Sequence, residues 1–261
     1  MDLGIQGKVA LVMASSRGLG RAMAISLAKE GVKVAVTGRN LEDLQQSVDL
    51  IKAVGGEAFP LQWDLSDLAK IDGLVSQVEQ ALGPIDILIN NTGGPPPTPA
   101  VGQDPALWQK SFNEMVLSLI AITDRVLPGM RQRKWGRIIT STTSGAIAPI
   151  KNLAISNTLR SSLHAWSKTL AREVAPFGIT ANIIVPGRIA TERIRFLDES
   201  KAQRENRSVE DVMNESLKTI PMGRTGDPAE YGATAAFLAS QGASYITGSV
   251  IRVDGGLITS L

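Results

Sequence analysis

The sequence predicts a single α/β domain built on a doubly wound, seven-stranded parallel sheet, and three observations carry that prediction. Short apolar, β-rich runs alternate with stretches of helical periodicity almost to the end of the chain. The runs are apolar throughout rather than alternately apolar and polar, as expected of strands covered on both faces. A chain of 261 residues suits one large α/β domain or two small ones, and a steady alternation without internal repeats argues for one. Right-handed crossovers then place ligands at the carboxyl ends of the strands.

Taken in order, VALVMA (9–14) leads to a helix pattern through Lys29, and VKVAVT (32–37) to a helix over 41–54. EAFPLQW (57–63) leads to a helix over 67–82, and IDILIN (85–90) to a long helix at about 104–132. GRIITS (136–141) and ITANIIV (179–185) flank a helix over 153–175. A last helix (228–239) precedes SVIRVD (249–254). Two stretches break the rhythm. GGPPPTP (93–99) is too proline-rich for helix or strand and reads as a stiff loop after the fourth strand. Residues 191–220 mix charges of both signs with scattered apolar residues such as Ile194, Phe196, Val212 and Leu217. They read as a lid over the ligand or as a solvated helical excursion.

Composition excludes several functions. The formal charge of +2, without a Lys/Arg block, argues against a nucleic-acid partner. The RQRK run at 131–134 sits where cations favour a helix C-terminus. Without cysteine there is no thiolate nucleophile or Cys-based zinc site, and with His164 as the one histidine no metal site is expected. No apolar run is long enough to span a membrane and the first residues carry no signal, so the expected location is the cytoplasm.

The first strand meets its helix through Ala14-Ser15-Ser16-Arg17-Gly18-Leu19-Gly20. Gly18 and Gly20 allow a tight turn, and free N–H groups at the helix start can face a pyrophosphate. The second strand ends in Thr37-Gly-Arg39 with no acidic residue for a ribose 2′-hydroxyl. Arg17 and Arg39 can flank a 2′-phosphate, which favours NADP over NAD, although each is also an ordinary surface cation. Asp64 and Leu65 follow the third strand, where Asp67 is the better placed helix cap. Asn90-Asn91-Thr92-Gly93 ends the fourth strand, and Pro186-Gly187-Arg188-Ile189-Ala190-Thr191 ends the sixth.

These motifs together resemble the short-chain dehydrogenase/reductase family over essentially the whole chain. The family patterns TGxxxGxG, NNAG and PGxIxT fall on residues 13–20, 90–93 and 186–191, with Met13 and Ala14 in place of the first Thr-Gly. The resemblance implies a Rossmann-type fold with a dinucleotide held by Ser15 to Gly20, Arg39, Asp64, Leu65, Asn91, Gly93, Arg160, Pro186, Gly187, Ile189 and Thr191. The family's catalytic Ser, its Tyr thirteen positions on and its Lys four further fall on Thr143, Ser156 and Arg160. Its polar Asn on the preceding long helix falls on Met115. The only tyrosines, Tyr231 and Tyr245, lie far downstream.

An aliphatic hydroxyl at Ser156 is a far weaker acid than a phenol, and Arg160 is a poor proton relay. Thr143 keeps a hydroxyl for a substrate oxygen. A water held by Thr143, Ser156 and Arg160 is one proton source; His164 and Lys151 are others. The segment is also similar to a subset of reductase-like proteins carrying SNTLR, named as 3-oxoacyl-acyl-carrier-protein reductases. The expected function is NADP(H)-dependent oxidoreduction of a carbonyl or alcohol, with a small molecule or acyl thioester as substrate. The alternatives are an inactive NADP-binding sensor or partner subunit, or non-redox use of the cleft. The family's usual contacts through its two long helices imply a homotetramer.

Overall fold

The computed structural model describes residues 2–260, and Met1 and Leu261 lie outside the described residues. Seven parallel strands form one sheet: β1 (Val9–Val12), β2 (Lys33–Gly38), β3 (Ala58–Gln62), β4 (Ile87–Asn90), β5 (Gly136–Ser141), β6 (Ile179–Pro186) and β7 (Val250–Val253). Their order is β3-β2-β1-β4-β5-β6-β7. The winding reverses between β1 and β4, so their carboxyl ends open into the crevice where such sheets take ligands. Pro60, which has no N–H to donate, pairs with Val36 in the edge strand β3, where its outer side needs no partner.

Both faces of the sheet are covered, which explains the unbroken apolar runs. Ala10 and Val12 pack beneath α1 (Gly18–Lys29), α2 (Leu41–Ala53) and α9 (Pro228–Ala239). Val9, Leu11 and Met13 point the other way, onto α3 (Ile71–Leu82), α5 (Ser118–Arg133) and α6 (Ala154–Val174). Helix starts follow local chemistry. The Asn40 side chain accepts from the Asp43 N–H at 3.0 Å. Asp227 and Glu230 form a capping box around Pro228, which needs no N–H at the first helical position.

Two expected helices and one expected cap change. The helix expected over 67–82 begins as a 3₁₀ turn, Leu68–Lys70, before α3. Asp67 does not cap it; its carboxylate pairs with Lys70 at 2.8 Å instead. The long helix expected over 104–132 is α4 (Pro105–Phe112) and α5 joined by a π-helical turn, Asn113–Leu117. A π turn lodges one extra residue in the ladder, and side-chain periodicity does not signal it. Residues 191–220 hold two helices, α7 (Glu192–Glu205) and α8 (Val209–Lys218). Their two ends are clipped together, since Ala190 N–H donates to Gly226 O at 2.9 Å and Gly226 N–H to Arg188 O at 2.8 Å.

Candidate active site

The turn after β1 is held in shape by hydroxyls. Ser15 is fully buried; its Oγ donates to Val12 O at 2.7 Å and accepts from Thr37 N–H at 2.8 Å. Thr37 Oγ1 accepts from Ala14 N–H at 3.0 Å. Asn91 Nδ2 donates to Met13 O and Ala14 O, both at 3.2 Å, and so ties the end of β4 to the end of β1. Ala14 sits at φ 46°, in the left-handed region where an alanine is strained and a glycine is not. Gly20 cannot be enlarged, because a Cβ there would lie 2.2 Å from Ala14 O.

This turn presents N–H groups toward the crevice. Arg17 precedes α1 in extended backbone with no side-chain cap, and the first turn of α1 contains no acidic residue. The opening N–H groups of the helix are therefore free for an anion. Thr191 faces them: a Cβ on Gly18 would meet its Cγ2 at 4.0 Å. Thr191 itself caps α7, accepting from Ile194 N–H at 3.4 Å. Gly187 packs so tightly on β7 that a Cβ would lie 2.5 Å from Asp254 Cα.

Beside β2 lies a groove of about 340 Å³ lined by Arg39, Gln62, Asp64, Asp67, Lys70 and Leu74. Arg39 is exposed there. The Asp64 carboxylate accepts from Ser66 N–H at 2.9 Å and Ser66 Oγ at 2.8 Å. Those bonds, above all the Ser66 N–H, hold it below the usual carboxylate range. Leu65 is half-buried between the two elements. Arg17 pairs across the crevice with Glu192 at 3.4 Å, both side chains largely exposed.

The catalytic trio expected from the sequence gathers at the carboxyl ends of β4 and β5. Thr143 opens the turn after β5, its Oγ1 accepting from Gly145 N–H at 3.3 Å. Ser156 is buried in the first turn of α6, and among the described residues its hydroxyl makes no hydrogen bond. Arg160, one turn later, is 6% exposed. Its Nη1 donates to Ser141 O at 3.2 Å, and its Nη2 to Thr92 O, Thr92 Oγ1 and Gly93 O at 3.1, 3.1 and 2.9 Å. Burial pushes its guanidinium down to about 10. Arg160 thus braces the ends of two neighbouring strands.

The remaining expected groups are sorted by position. Met115 is buried in the π turn, within an apolar cluster with Ile155 and Leu159. His164 Nε2 bonds Thr142 Oγ1 at 3.1 Å, and partial burial holds the imidazole below its usual value. Lys151 is exposed. Tyr231, remote in sequence, is fully buried under β5: its hydroxyl donates to Ile184 O at 3.1 Å and bonds Ser141 Oγ at 2.9 Å. Burial pushes its phenol up, so it stays protonated. Ser141 therefore links Tyr231 on one face of the sheet to Arg160 on the other.

The architecture has relatives. The sequence pattern described as enoyl-(acyl carrier protein) reductase matches residues 13–258, nearly the full length of the chain. The chain belongs to the short-chain dehydrogenase/reductase family. It is 34% identical to a 3-oxoacyl-[acyl-carrier-protein] reductase of Pseudomonas aeruginosa, over 99% of this chain and 100% of the relative. It is 36% identical to an acetoacetyl-CoA reductase of Shinella zoogloeoides, over 95% of this chain and 98% of the relative. Its fold superposes on the L-sorbose reductase of Gluconobacter frateurii, solved with NADPH and L-sorbose, with a TM-score of 0.94 at 30% identity and full coverage of both chains. The chain is an oxidoreductase fold with ketoreductase-like relatives.

Within that family frame, two groups in the crevice escaped the sequence reading. Arg193, in the first turn of α7, donates to Pro95 O at 2.7 Å and is held below its ordinary value by burial. Arg188 and the buried Asp198 pair at 2.6 Å and fasten α7 to the turn after β6. Arg193 and Asp198 lie in a run of mixed charge whose pattern resembles any solvated helix, and only the fold shows which charges turn inward. Among the described residues no group of three or more potential metal ligands occurs, and no helix is long and apolar enough to cross a membrane.

Proposed function

We propose that this protein is an NADP(H)-dependent oxidoreductase of a carbonyl or alcohol substrate, working with a non-standard active site. The observation that carries the reading is the crevice itself. Uncapped N–H groups at the start of α1 face Thr191 across an opening at the β1–β4 switch point, and no acidic residue stands at the end of β2. The residues fit a dinucleotide: Ser15 and Ser16 shape the turn, and Gly18, Leu19 and Gly20 offer N–H groups to a pyrophosphate. Asp64 and Leu65 border the adenine side, and Asn91, Gly93, Pro186, Gly187, Ile189 and Thr191 line the nicotinamide side. Arg39, exposed beside the groove next to β2 and in no ion pair among the described residues, suits a 2′-phosphate, with Arg17, now paired with Glu192, as the second candidate cation.

When bound, the cofactor supplies the hydride for a carbonyl carbon. The chain's own part is to hold the carbonyl oxygen and deliver a proton to it. Ser156, whose hydroxyl makes no hydrogen bond among the described residues, and Thr143 bond that oxygen in this reading. The proton on the product hydroxyl comes from a water held between them and the charged edge of Arg160, and the hydroxide left behind takes a proton from bulk solvent. Residues 191–220 serve as a lid hinged at the Ile189–Gly226 clip. Candidate substrates extend from small carbonyl compounds to 3-oxoacyl thioesters, the class named in two relatives. The assembly is a cytoplasmic homotetramer. An open groove of about 270 Å³ between α5 and α6, lined by Leu127, Pro128, Trp166 and Leu170, supports contact through those helices.

A second reading, an inactive NADP-binding sensor or partner subunit, is favoured by the commitment of Arg160 to three backbone carbonyls. Fluorescence titration with NADPH and NADH tests the shared premise. Preferential NADPH binding is expected, and an Arg39→Ala variant loses the preference. Turnover of NADPH with a carbonyl panel then separates the two readings. Binding of neither nucleotide refutes both and leaves the cleft to non-redox use.

A further inference from the structure

Two guanidinium groups converge on the loop that follows β4, and among the described residues no carboxylate answers them. Arg160 donates to the carbonyls of Thr92 and Gly93, and Arg193 to that of Pro95. Between them Arg193 lies flat on Gly94: a Cβ there would sit 3.0 Å from Nη2, 3.3 Å from Cζ and 3.4 Å from Nε. The Phe196 ring stands 5.5 Å from the Arg193 guanidinium carbon. The nearby lid carboxylates are engaged elsewhere, Glu192 with Arg17, Asp198 with Arg188 and Glu199 with Arg195. Among the described residues neither Arg160 nor Arg193 forms an ion pair. Each guanidinium is depressed by burial, and the charge of Arg193 further lowers Arg160.

Two like charges brought into one cleft without a counter-ion are unfavourable, and carbonyl dipoles offset only part of that cost. The arrangement is completed by an anion. The Nε and Nη1 edge of Arg193 makes no hydrogen bond among the described residues, and a planar fork of this kind matches a carboxylate in two parallel bonds. We propose that Arg193, seconded by Arg160, is the carboxylate subsite for the substrate, so that the compound turned over is an oxo acid or hydroxy acid bearing a free carboxylate. A neutral ketone, or a thioester whose carboxyl group is capped, lacks the group that neutralises the pair. The turnover part of this statement rests on the oxidoreductase reading, while the anion site does not.

The test is calorimetric binding of pyruvate, acetoacetate, levulinate and 2-oxoglutarate, each against its methyl ester, with and without saturating NADP⁺. At least one free acid is expected to bind ten times more tightly than its ester. Arg193→Gln should erase that preference while NADP⁺ affinity changes less than twofold. Gly94→Ala keeps every charge and its backbone is not in the left-handed region, but its methyl pushes Arg193 off Pro95. A several-fold loss of acid affinity is expected for it. The proposal is overturned if no acid outbinds its ester, or if Arg193→Gln weakens NADP⁺ more than the acids, which would assign Arg193 to a cofactor phosphate. Acid binding in a protein that binds no nucleotide would retain the subsite and remove the oxidoreductase reading.

Discussion

Replacing Arg160 by alanine separates a bracing role from a cofactor role, because the two predict opposite patterns. The side chain satisfies Thr92 O, Gly93 O, Ser141 O and Thr92 Oγ1. Gly93 is exposed and its carbonyl turns to water, but Thr92 and Ser141 are buried. Leaving two buried carbonyls unpaired costs about 1–3 kcal/mol each. Removing an unpaired buried charge recovers part of that desolvation, since no carboxylate is stranded by the change. The net destabilisation is therefore roughly 2 kcal/mol, which in a chain of this size lowers the melting temperature by about 4–8 °C. The assay is thermal unfolding by circular dichroism, with NADPH affinity measured by fluorescence on the same samples. Arg160→Lys should recover little, since one nitrogen cannot span acceptors on two strands. An unchanged melting temperature together with lost NADPH binding would refute the bracing argument and make Arg160 a cofactor ligand only.

Three further outcomes follow from local geometry. Ala14→Gly relieves the left-handed strain at φ 46° and should stabilise the fold by about 0.5–1 kcal/mol, read as a higher melting temperature; an unchanged or lower value refutes the strain assignment. Gly20→Ala forces a Cβ against Ala14 O and should cost about 3 kcal/mol or more and abolish nucleotide binding; a folded, binding variant would show that the turn can open. His164 is held below its ordinary 6.5 by burial, so as pH falls below that value the unfolded chain takes up a proton before the native one does. Stability should therefore decline in that window, and His164→Gln, which can keep a bond to Thr142 Oγ1, should flatten the decline in urea titrations at pH 7 and pH 5.5.

What was legible in the sequence was whatever depends on local pattern or on motif spacing. Apolar, β-rich runs marked all seven strands, five of them buried and the edge strands β3 and β7 only partly so, and the ends of β1, β2, β4 and β6 marked the crevice. Features that depend on a side chain's partner stayed hidden. The alanine at position 14 was visible as a departure from glycine, but its positive φ is set by the clasp of Ser15, Thr37 and Asn91 around the turn. The π turn at Asn113–Leu117 stayed hidden because its one extra residue falls inside a helix that continues on both sides of it. Arg160 was placed by spacing as a ligand-facing cation. Its acceptors belong to residues 19 to 68 positions away, a distance at which no sequence window sees them. Arg193 is the sharpest case: RIRFLDE offers four charges, two on either side of Phe196, and the fold sends Arg195 outward while Asp198 and Arg193 turn in. The same clipped excursion that buries Asp198 against Arg188 leaves Arg193 with only a carbonyl. An excursion built only for stability would have paired both cations, so the unpaired one is where a ligand's charge is expected to act.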